Sequence, residues 1–271
     1  MNRSTENLFA KFFRLLLVLV FLSTATISSA QAAETKLRVA AAADLKFAIP
    51  KLLAVFESHH PGLKVESIFG SSGSLTQQIQ AGAPFDLFLS ADDSFPQRLK
   101  QEGRVDGDVF RYGTGHLVLW APKKISLSTL HKTSDNTLRV LESSEISKFA
   151  IANPAVAPYG RVADEALTKA SLKDNLKSKM ITGENVAQAA QFALTGAVSA
   201  ALIAQAIAES PEMKSKGTYL VLKPTKASEL KQSGVIVVKS EMKAEARQFR
   251  DLLLGHEGQT VLAEHGLAEK K

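Results

Sequence analysis

Residues 70–92, GSSGSLTQQIQAGAPFDLFLSAD, combine a polar loop, a helical pattern and a buried strand. Leu75 and Ile79 mark the helical face, a turn follows at 82–84, and residues 87–89 are uniformly apolar. A loop at a helix N-terminus presents backbone N–H groups that the helix does not use, and the positive end of the helix dipole lies there too. The stretch therefore predicts a unit of an α/β fold and a receptor for an anion built from neutral donors.

Apolar runs outside this stretch predict further strands, with amphipathic helical patterns between them. The predicted strands lie at 37–43, 64–69, 87–90, 117–120, 149–152, 198–203, 219–222 and 235–238. Strands that alternate with helices favour an α/β architecture, and buried strands without polar alternation favour largely parallel sheets. The fold class predicted from these patterns is α/β.

Two polar segments that contain glycine are expected to carry the chain between two lobes. They are residues 111–115 and 231–234. Lobe 1 would then comprise residues 33–112 together with 236–271, and lobe 2 would comprise residues 113–235. A cleft between two α/β lobes is a common site for a small ligand.

Residues 1–32 have the pattern of a signal peptide. A basic beginning is followed by an apolar run at 15–22, which is too short to span a bilayer comfortably. The tripeptide Ala30-Gln31-Ala32 fits the small-x-small rule for cleavage. We therefore expect cleavage near Ala32 and a soluble protein exported to the periplasm; an uncleaved membrane anchor is the alternative.

The composition excludes several classes of site. The chain has no cysteine, which rules out disulfides, thiolate metal sites, a cysteine nucleophile and a lipoprotein anchor. The formal net charge is +6, of which the leader contributes about two units. A mild positive balance suits an anionic ligand, whereas scattered lysines give no clustered basic face for nucleic acid. We expect no nucleic-acid partner.

Four loops share one form, in which a strand ends, small or polar residues follow and a helix begins. They are residues 40–44, 70–74, 153–160 and 182–185. Taken singly, each is typical of an ordinary turn with a Ser, Asp or Asn cap. Four helix N-termini that converge on one cleft would instead bind a tetrahedral oxyanion through backbone N–H and hydroxyl donors alone.

Five motifs in order resemble those of the periplasmic molybdate-binding proteins of ABC importers. They are VAAAADL at 39–45, the stretch 70–92, YGTGHLVLWAP at 112–122, IANPAVAPYGRVADEAL at 151–167 and GENVAQAA at 183–190. The resemblance implies a two-lobed periplasmic binding protein fold of type II, each lobe a mixed, largely parallel sheet flanked by helices. It also implies a monomer that captures molybdate, and tungstate, without catalysis or a cofactor. The permease and ATPase of the inner membrane would be its partners.

The resemblance also assigns ligand-binding roles to particular residues. Ser72 matches a serine that donates its hydroxyl and its backbone N–H to the oxyanion, and Ser71 lies beside it. Tyr159 and Val186 match positions that donate a backbone N–H. The Tyr159 ring would then be free to pack over the mouth of the cleft. Ala43 is expected to turn its N–H toward the ion.

Asp44 and the strand near Ile203 depart from the family pattern. Some relatives carry a neutral residue at the position of Asp44, and an ionised carboxylate there would repel an oxyanion. Asp44 could cap the next helix, which we favour because Asp is a preferred N-cap, or be protonated and donate, or indicate another ligand. Pro50 is expected to kink or restart the helix. Near Ile203 the chain lacks a tyrosine that some relatives use, so one donor is lost or replaced.

Two rival functions follow from the same residues. One is the same fold with another ligand, sulfate or a metal ion that Asp44 would help to bind. The other is an exported serine hydrolase centred on Ser72. The histidines show no metal-ligand spacing, so no metal-cation site is expected. The loop also lacks the G-x-S-x-G spacing of a hydrolase elbow.

Overall fold

A computed structural model describes residues 36–131, 137–222 and 230–268. The predicted signal peptide, residues 1–32, lies outside the described residues. Within the described part of the chain, no helix is both long enough and apolar enough to cross a membrane.

The first sheet has five strands in the order β2-β1-β3-β10-β4. Strands β1, β2 and β3 are parallel, and β10 runs antiparallel to both of its neighbours. Their bounds are β1 Lys36–Ala42, β2 Lys64–Gly70, β3 Leu87–Ser90, β4 Val105–Gly115 and β10 Leu230–Val237. The carboxyl ends of the three parallel strands lie at one edge of the sheet, where the loops 40–44 and 70–74 begin.

The second sheet repeats this arrangement in the order β7-β6-β8-β5-β9. Here β6, β7 and β8 are parallel and β5 is antiparallel to both of its neighbours. The bounds are β5 Leu117–Pro122, β6 Phe149–Ala152, β7 Met180–Gly183, β8 Ala200–Ala204 and β9 Gly217–Val221. The expected architecture, two mixed and largely parallel sheets flanked by helices, is confirmed.

The α-helices of the described residues flank both sheets. They are α1 Ile49–His59, α2 Ser72–Gln80, α3 Ser94–Gln101, α4 Leu127–His131, α5 Pro158–Lys169, α6 Lys173–Leu176, α7 Val186–Leu194, α8 Gln205–Ala208, α9 Pro211–Lys216, α10 Lys243–Leu254 and α11 His256–Glu264. Short 3-10 turns lie at Ala43–Lys46, Thr137–Glu142 and Lys177–Lys179. The first of these turns follows β1 directly and carries Asp44.

Two strands, β4 and β7, were not predicted from the sequence. Each lies at the edge of its sheet, where one side of the strand has no neighbour. Edge strands tolerate polar residues and glycine, so the apolar run that marks a central strand is missing. Asp106, Gly107 and Asp108 illustrate this in β4.

The two segments expected to link the lobes lie side by side. Strand β4 ends at Gly115, β5 begins after His116, and Lys231 and Gln232 of β10 pair with Thr114 and Gly113. Both segments therefore belong to the first sheet. The division of the chain at residues 112 and 235 stays a prediction.

Each sheet has its own apolar packing, and the two meet at the loops after β1 and β3. Ala42, Ala43, Ala91 and Leu230 belong to the buried cluster that surrounds the second sheet, with Trp120 and Phe149 among its largest members. The strand ends of the first sheet thus pack against the second lobe. Ala42, Ala43 and Ala91 also line the candidate site.

Candidate functional site

A cavity lies where loops of the two sheets face each other. All six residues selected from the sequence line it. The lining consists of Ala42, Ala43, Asp44, Gly70, Ser71, Ser72, Ala91, Ala157, Pro158, Tyr159, Asn185 and Val186. No lysine, arginine or histidine occurs among these lining residues, which are all in the described part of the chain. Any anion held here would be bound by neutral donors.

Helix α2 begins at the cavity, and some hydrogen-bond donors of its first turn already have partners. The Ser71 hydroxyl donates to Ser74 Oγ at 2.7 Å, and Ser71 Oγ accepts the Ser74 N–H at 3.3 Å. The Gly73 N–H donates to the Val156 carbonyl of the second lobe at 2.9 Å. The N–H of Ser72, at the first helical position, has no acceptor inside the helix.

The Ser72 hydroxyl is oriented by a backbone group of the neighbouring loop. Its Oγ accepts the Ala91 N–H at 3.0 Å, and the Ser72 side chain is buried. Because this bond occupies a lone pair of the oxygen, the hydroxyl hydrogen can donate to another acceptor. Ser72 can therefore supply two donors, one from its side chain and one from its backbone.

Two helices of the second lobe begin at the same cavity. Asn185 caps α7, and its Oδ1 accepts the N–H groups of Ala187 and Gln188 at 3.0 and 3.1 Å. The N–H of Val186, at the first position of α7, is not among the groups that this cap satisfies. Tyr159 is the second residue of α5, after Pro158, and this helix has no side-chain cap. Both residues thus stand where a helix leaves backbone donors unpaired.

The Asp44 side chain faces the cavity and the second lobe. Asp44 is only 1% exposed and lies inside the 3-10 turn. Helix α1 begins at Ile49 with Pro50 in its first turn, and its N-cap residue Ala48 provides no side-chain bond. The helix therefore restarts near Pro50, as expected. The favoured interpretation of Asp44 as a helix cap is wrong, because the carboxylate has partners from distant segments instead.

Those partners are Tyr159 and Gln232. The Tyr159 hydroxyl donates to Asp44 Oδ2 at 3.1 Å, and Gln232 Nε2 donates to the same oxygen. Asp44 Oδ1 and Gln232 Oε1 are buried and have no hydrogen-bond partner among the described residues. Gln232 was missed as a site residue. The sign available in the sequence was the amide side chain of Gln232 itself, which stands just before the buried residues of strand β10.

Burial controls the protonation of this cluster. It raises the pKa of Asp44 from 3.8 to about 6, while the hydrogen bonds from Gln232 and Tyr159 act in the opposite direction. Burial, and then the negative charge of Asp44, raise the pKa of Tyr159 and of Tyr112 well above 10.0. Both phenols therefore stay protonated. The Tyr112 hydroxyl donates to the Ser90 carbonyl at 3.0 Å.

The Tyr159 ring connects the two lobes. The residue is 2% exposed, and its hydroxyl lies so close to Gly115 that a Cβ on that glycine would come within 2.2 Å of the oxygen. Near Ile203, the buried strand β8 consists of alanine, leucine and isoleucine and offers no side-chain donor. The tyrosine found there in some relatives thus has no counterpart in this strand.

Several contacts hold the lobes together around the cavity. They include the Tyr159–Asp44 hydrogen bond, the Gly73–Val156 backbone bond and an ion pair in which Arg161 Nη2 lies 2.6 Å from Asp92 Oδ2. Arg161 belongs to α5 and also pairs with Glu165 at 2.8 Å. The described structure is therefore that of a cleft with its lobes in contact.

The residues near Ser72 lack the other parts of a hydrolase or a metal site. No histidine lines the cavity in the described chain, so no imidazole base lies beside the Ser72 hydroxyl there. Across the described residues, no group of three or more His, Cys, Asp or Glu side chains is placed to hold a metal ion.

Comparison with known proteins identifies relatives along almost the whole described chain. The family model for bacterial extracellular solute-binding proteins matches residues 37–268. The molybdate-binding protein ModA of Azotobacter vinelandii is 34% identical over 239 residues, which cover 88% of this chain and 91% of that protein. The molybdate-binding protein ModA of Rhodobacter capsulatus is 31% identical over 230 residues, covering 84% and 87%.

A solved structure of the Azotobacter vinelandii periplasmic molybdate-binding protein has a similar fold. Its TM-score is 0.77 at 29% sequence identity, and the match covers 87% of this chain and 100% of that chain. The two-lobed fold of a periplasmic binding protein is thus confirmed. The relatives are named as binding proteins rather than as enzymes.

Proposed function

The chain belongs to the bacterial extracellular solute-binding proteins, and we propose that it captures molybdate in the cavity between its two sheets. Two relatives that cover most of its length are named molybdate-binding proteins. The proposed ligand is a dianion held without water between the lobes. Tungstate, which has the same charge and nearly the same size, is proposed as a second ligand.

One observation carries this proposal: helices α2, α5 and α7 begin around one cavity whose described lining has no basic side chain. Unpaired N–H groups at helix starts bind oxyanions directly and without a counter-charge. We assign the Ser72 hydroxyl and N–H, the Val186 N–H and the Tyr159 N–H as donors. Ser71 and Ala43 would line the remaining wall, and Asp44 would face the ion.

The partners follow from the family. A periplasmic solute-binding protein of an ABC importer delivers its ligand to a membrane permease coupled to an ATPase, and we propose both as partners here. Closure of the lobes would give the permease a recognisable shape, since ligand binding selects the closed state. We further propose that the protein acts as a periplasmic monomer after removal of the signal peptide, without a cofactor.

A thermal-shift series with the exported, purified protein tests the ligand. Molybdate, tungstate, sulfate, phosphate and divalent metal ions are compared at micromolar concentration. A ligand that binds only the native state at 100 times its Kd stabilises the protein by about 2.7 kcal/mol, which raises the melting temperature. We expect the shift with molybdate and tungstate. A shift with sulfate or a metal ion alone, or with none of the compounds, would overturn the assignment.

A further inference from the structure

We propose that the cavity binds its oxyanion together with a proton held at Asp44, so that one proton is taken up for each anion captured. The inference rests on the proposed function, because it concerns the same cavity. It gives Asp44 a direct part in binding rather than a passive place in the cavity wall.

The geometry places a carboxylate where an anion would sit. Asp44 lines the cavity with Ser72 and Val186, the residues assigned as donors. Two negative groups that share a dehydrated space repel each other strongly, because the low local dielectric does not screen them. The complex is relieved of this repulsion when a proton neutralises one of the two groups.

No lysine or arginine lines the cavity in the described part of the chain to supply a positive charge to Asp44 instead. The titratable groups that face its carboxylate are the phenols of Tyr159 and Tyr112, and both are neutral. Helices α7 and α8, which pack against its turn, contain no titratable residue. The lysines and arginines of the other surrounding elements are exposed, among them Lys46, Arg111, Arg161 and Lys231. These elements are β1, β2, β4, β10, α1, α5 and the 3-10 turn itself.

The hydrogen bonds of Asp44 leave a position for the proton. Oδ2 accepts from Tyr159 and Gln232, whereas Oδ1 is buried without a partner in the described chain. A proton on Oδ1 would turn this oxygen into a donor, and the wall would then present only donors to the anion. Burial already raises the pKa of Asp44 to about 6 without a ligand, and a bound anion raises it further.

Calorimetry of molybdate binding measures the proton directly. Titrations at pH 7.5 in buffers of different ionisation enthalpy give the number of protons taken up. We expect close to one for the wild type and none for Asp44→Asn. The wild-type affinity should fall by about tenfold for each pH unit above 6, because the proton must then be drawn from solution. The affinity of Asp44→Asn should stay constant over this range, which also corrects for any titration of the ligand.

The other possible results distinguish a failure of this inference from a failure of the proposed function. Wild-type binding with no proton uptake and a constant affinity would overturn the inference and leave the proposed function intact. No binding of molybdate at any pH would overturn the proposed function, and this inference with it. His116→Gln serves as a matched control, because His116 follows Gly115 and the backbone of Gly115 lies against Tyr159 and Gln232, the partners of Asp44. Loss of the pH dependence in that variant would assign it to the histidine and also overturn the inference. If Asp44→Asn fails to fold, the proton uptake of the wild type still tests the inference. Asp44→Ser is then the second variant that lacks the acid.

Discussion

The Ser72 loop and the Asp44 turn follow neighbouring parallel strands and line the same cavity, but their chemistry differs. The Ser72 loop presents neutral donors, and its side chain is oriented by a neighbouring backbone N–H at 3.0 Å. The Asp44 turn presents a buried acid whose partners, Tyr159 and Gln232, are 115 and 188 residues away in sequence. A donor at a helix start is a local property of the chain. The state of a buried acid is set by whatever the fold places around it.

The largest expected effect concerns stability at the Asp44 turn. Because the folded pKa of about 6 lies above the ordinary value of 3.8, Asp44 favours the native state below pH 3.8 and loses this contribution as pH rises through 6. Asp44→Asn does not titrate. Its free energy of unfolding relative to wild type should therefore increase by about 3 kcal/mol between pH 3.5 and pH 8.

Urea denaturation of the ligand-free protein at several pH values measures this difference. Glu66→Gln, at an exposed site in β2, is the matched control and should show no comparable increase. A stability difference for Asp44→Asn that is equal at pH 3.5 and pH 8 would show that the acid is not held away from water. The Asp44 turn would then differ less from the Ser72 loop than the structure indicates.

The second prediction tests the Ser72 loop. Ser72→Ala removes a hydroxyl that would donate to a charged ligand, which contributes about 1.5–3 kcal/mol, so molybdate affinity should fall by about 10- to 150-fold. Ser71→Ala is the matched control. The Ser71 hydroxyl is engaged with Ser74, so its loss should cost about 1 kcal/mol of stability through the helix cap and little affinity. Equal losses of affinity in both variants, measured by calorimetry, would contradict the assignment.

The same contrast explains what the sequence could and could not predict. Apolar runs marked the central strands, and small polar residues before Leu75 and Val186 marked helix starts, because these signals depend on near neighbours. The edge strands β4 and β7 lacked the apolar run. The cap assigned to Asp44 failed since preference for a cap position ignores partners that only the folded chain brings close. Gln232 was missed for the same reason.

The third prediction concerns closure. A Cβ on Gly73 would lie 2.7 Å from the Val156 carbonyl oxygen, a backbone atom of the opposite lobe. Gly73→Ala should therefore weaken molybdate binding by about tenfold, in line with an overpacking cost of about 1–3 kcal/mol. The ligand-free variant can relieve this clash by separating its lobes, and alanine favours a helix over glycine by about 0.5–1 kcal/mol. Its free energy of unfolding should therefore fall by less than its free energy of binding. Equal falls in the two free energies would instead place the damage within helix α2.

The smallest expected effect concerns the ion pair between Arg161 and Asp92, which joins the two lobes beside the cavity. The Arg161 side chain is 44% exposed, and such pairs contribute about 0–1 kcal/mol because water and salt screen them. Arg161→Gln should weaken molybdate binding by at most about fivefold, and the difference should shrink as salt is added. Glu165→Gln removes only the partner of Arg161 within helix α5, so its affinity should equal that of wild type. If Arg161→Gln weakened binding as much as Ser72→Ala, the ion pair rather than the neutral donors would dominate the closed state. A fivefold or smaller effect would leave the neutral donors of the Ser72 loop as the main determinants of affinity.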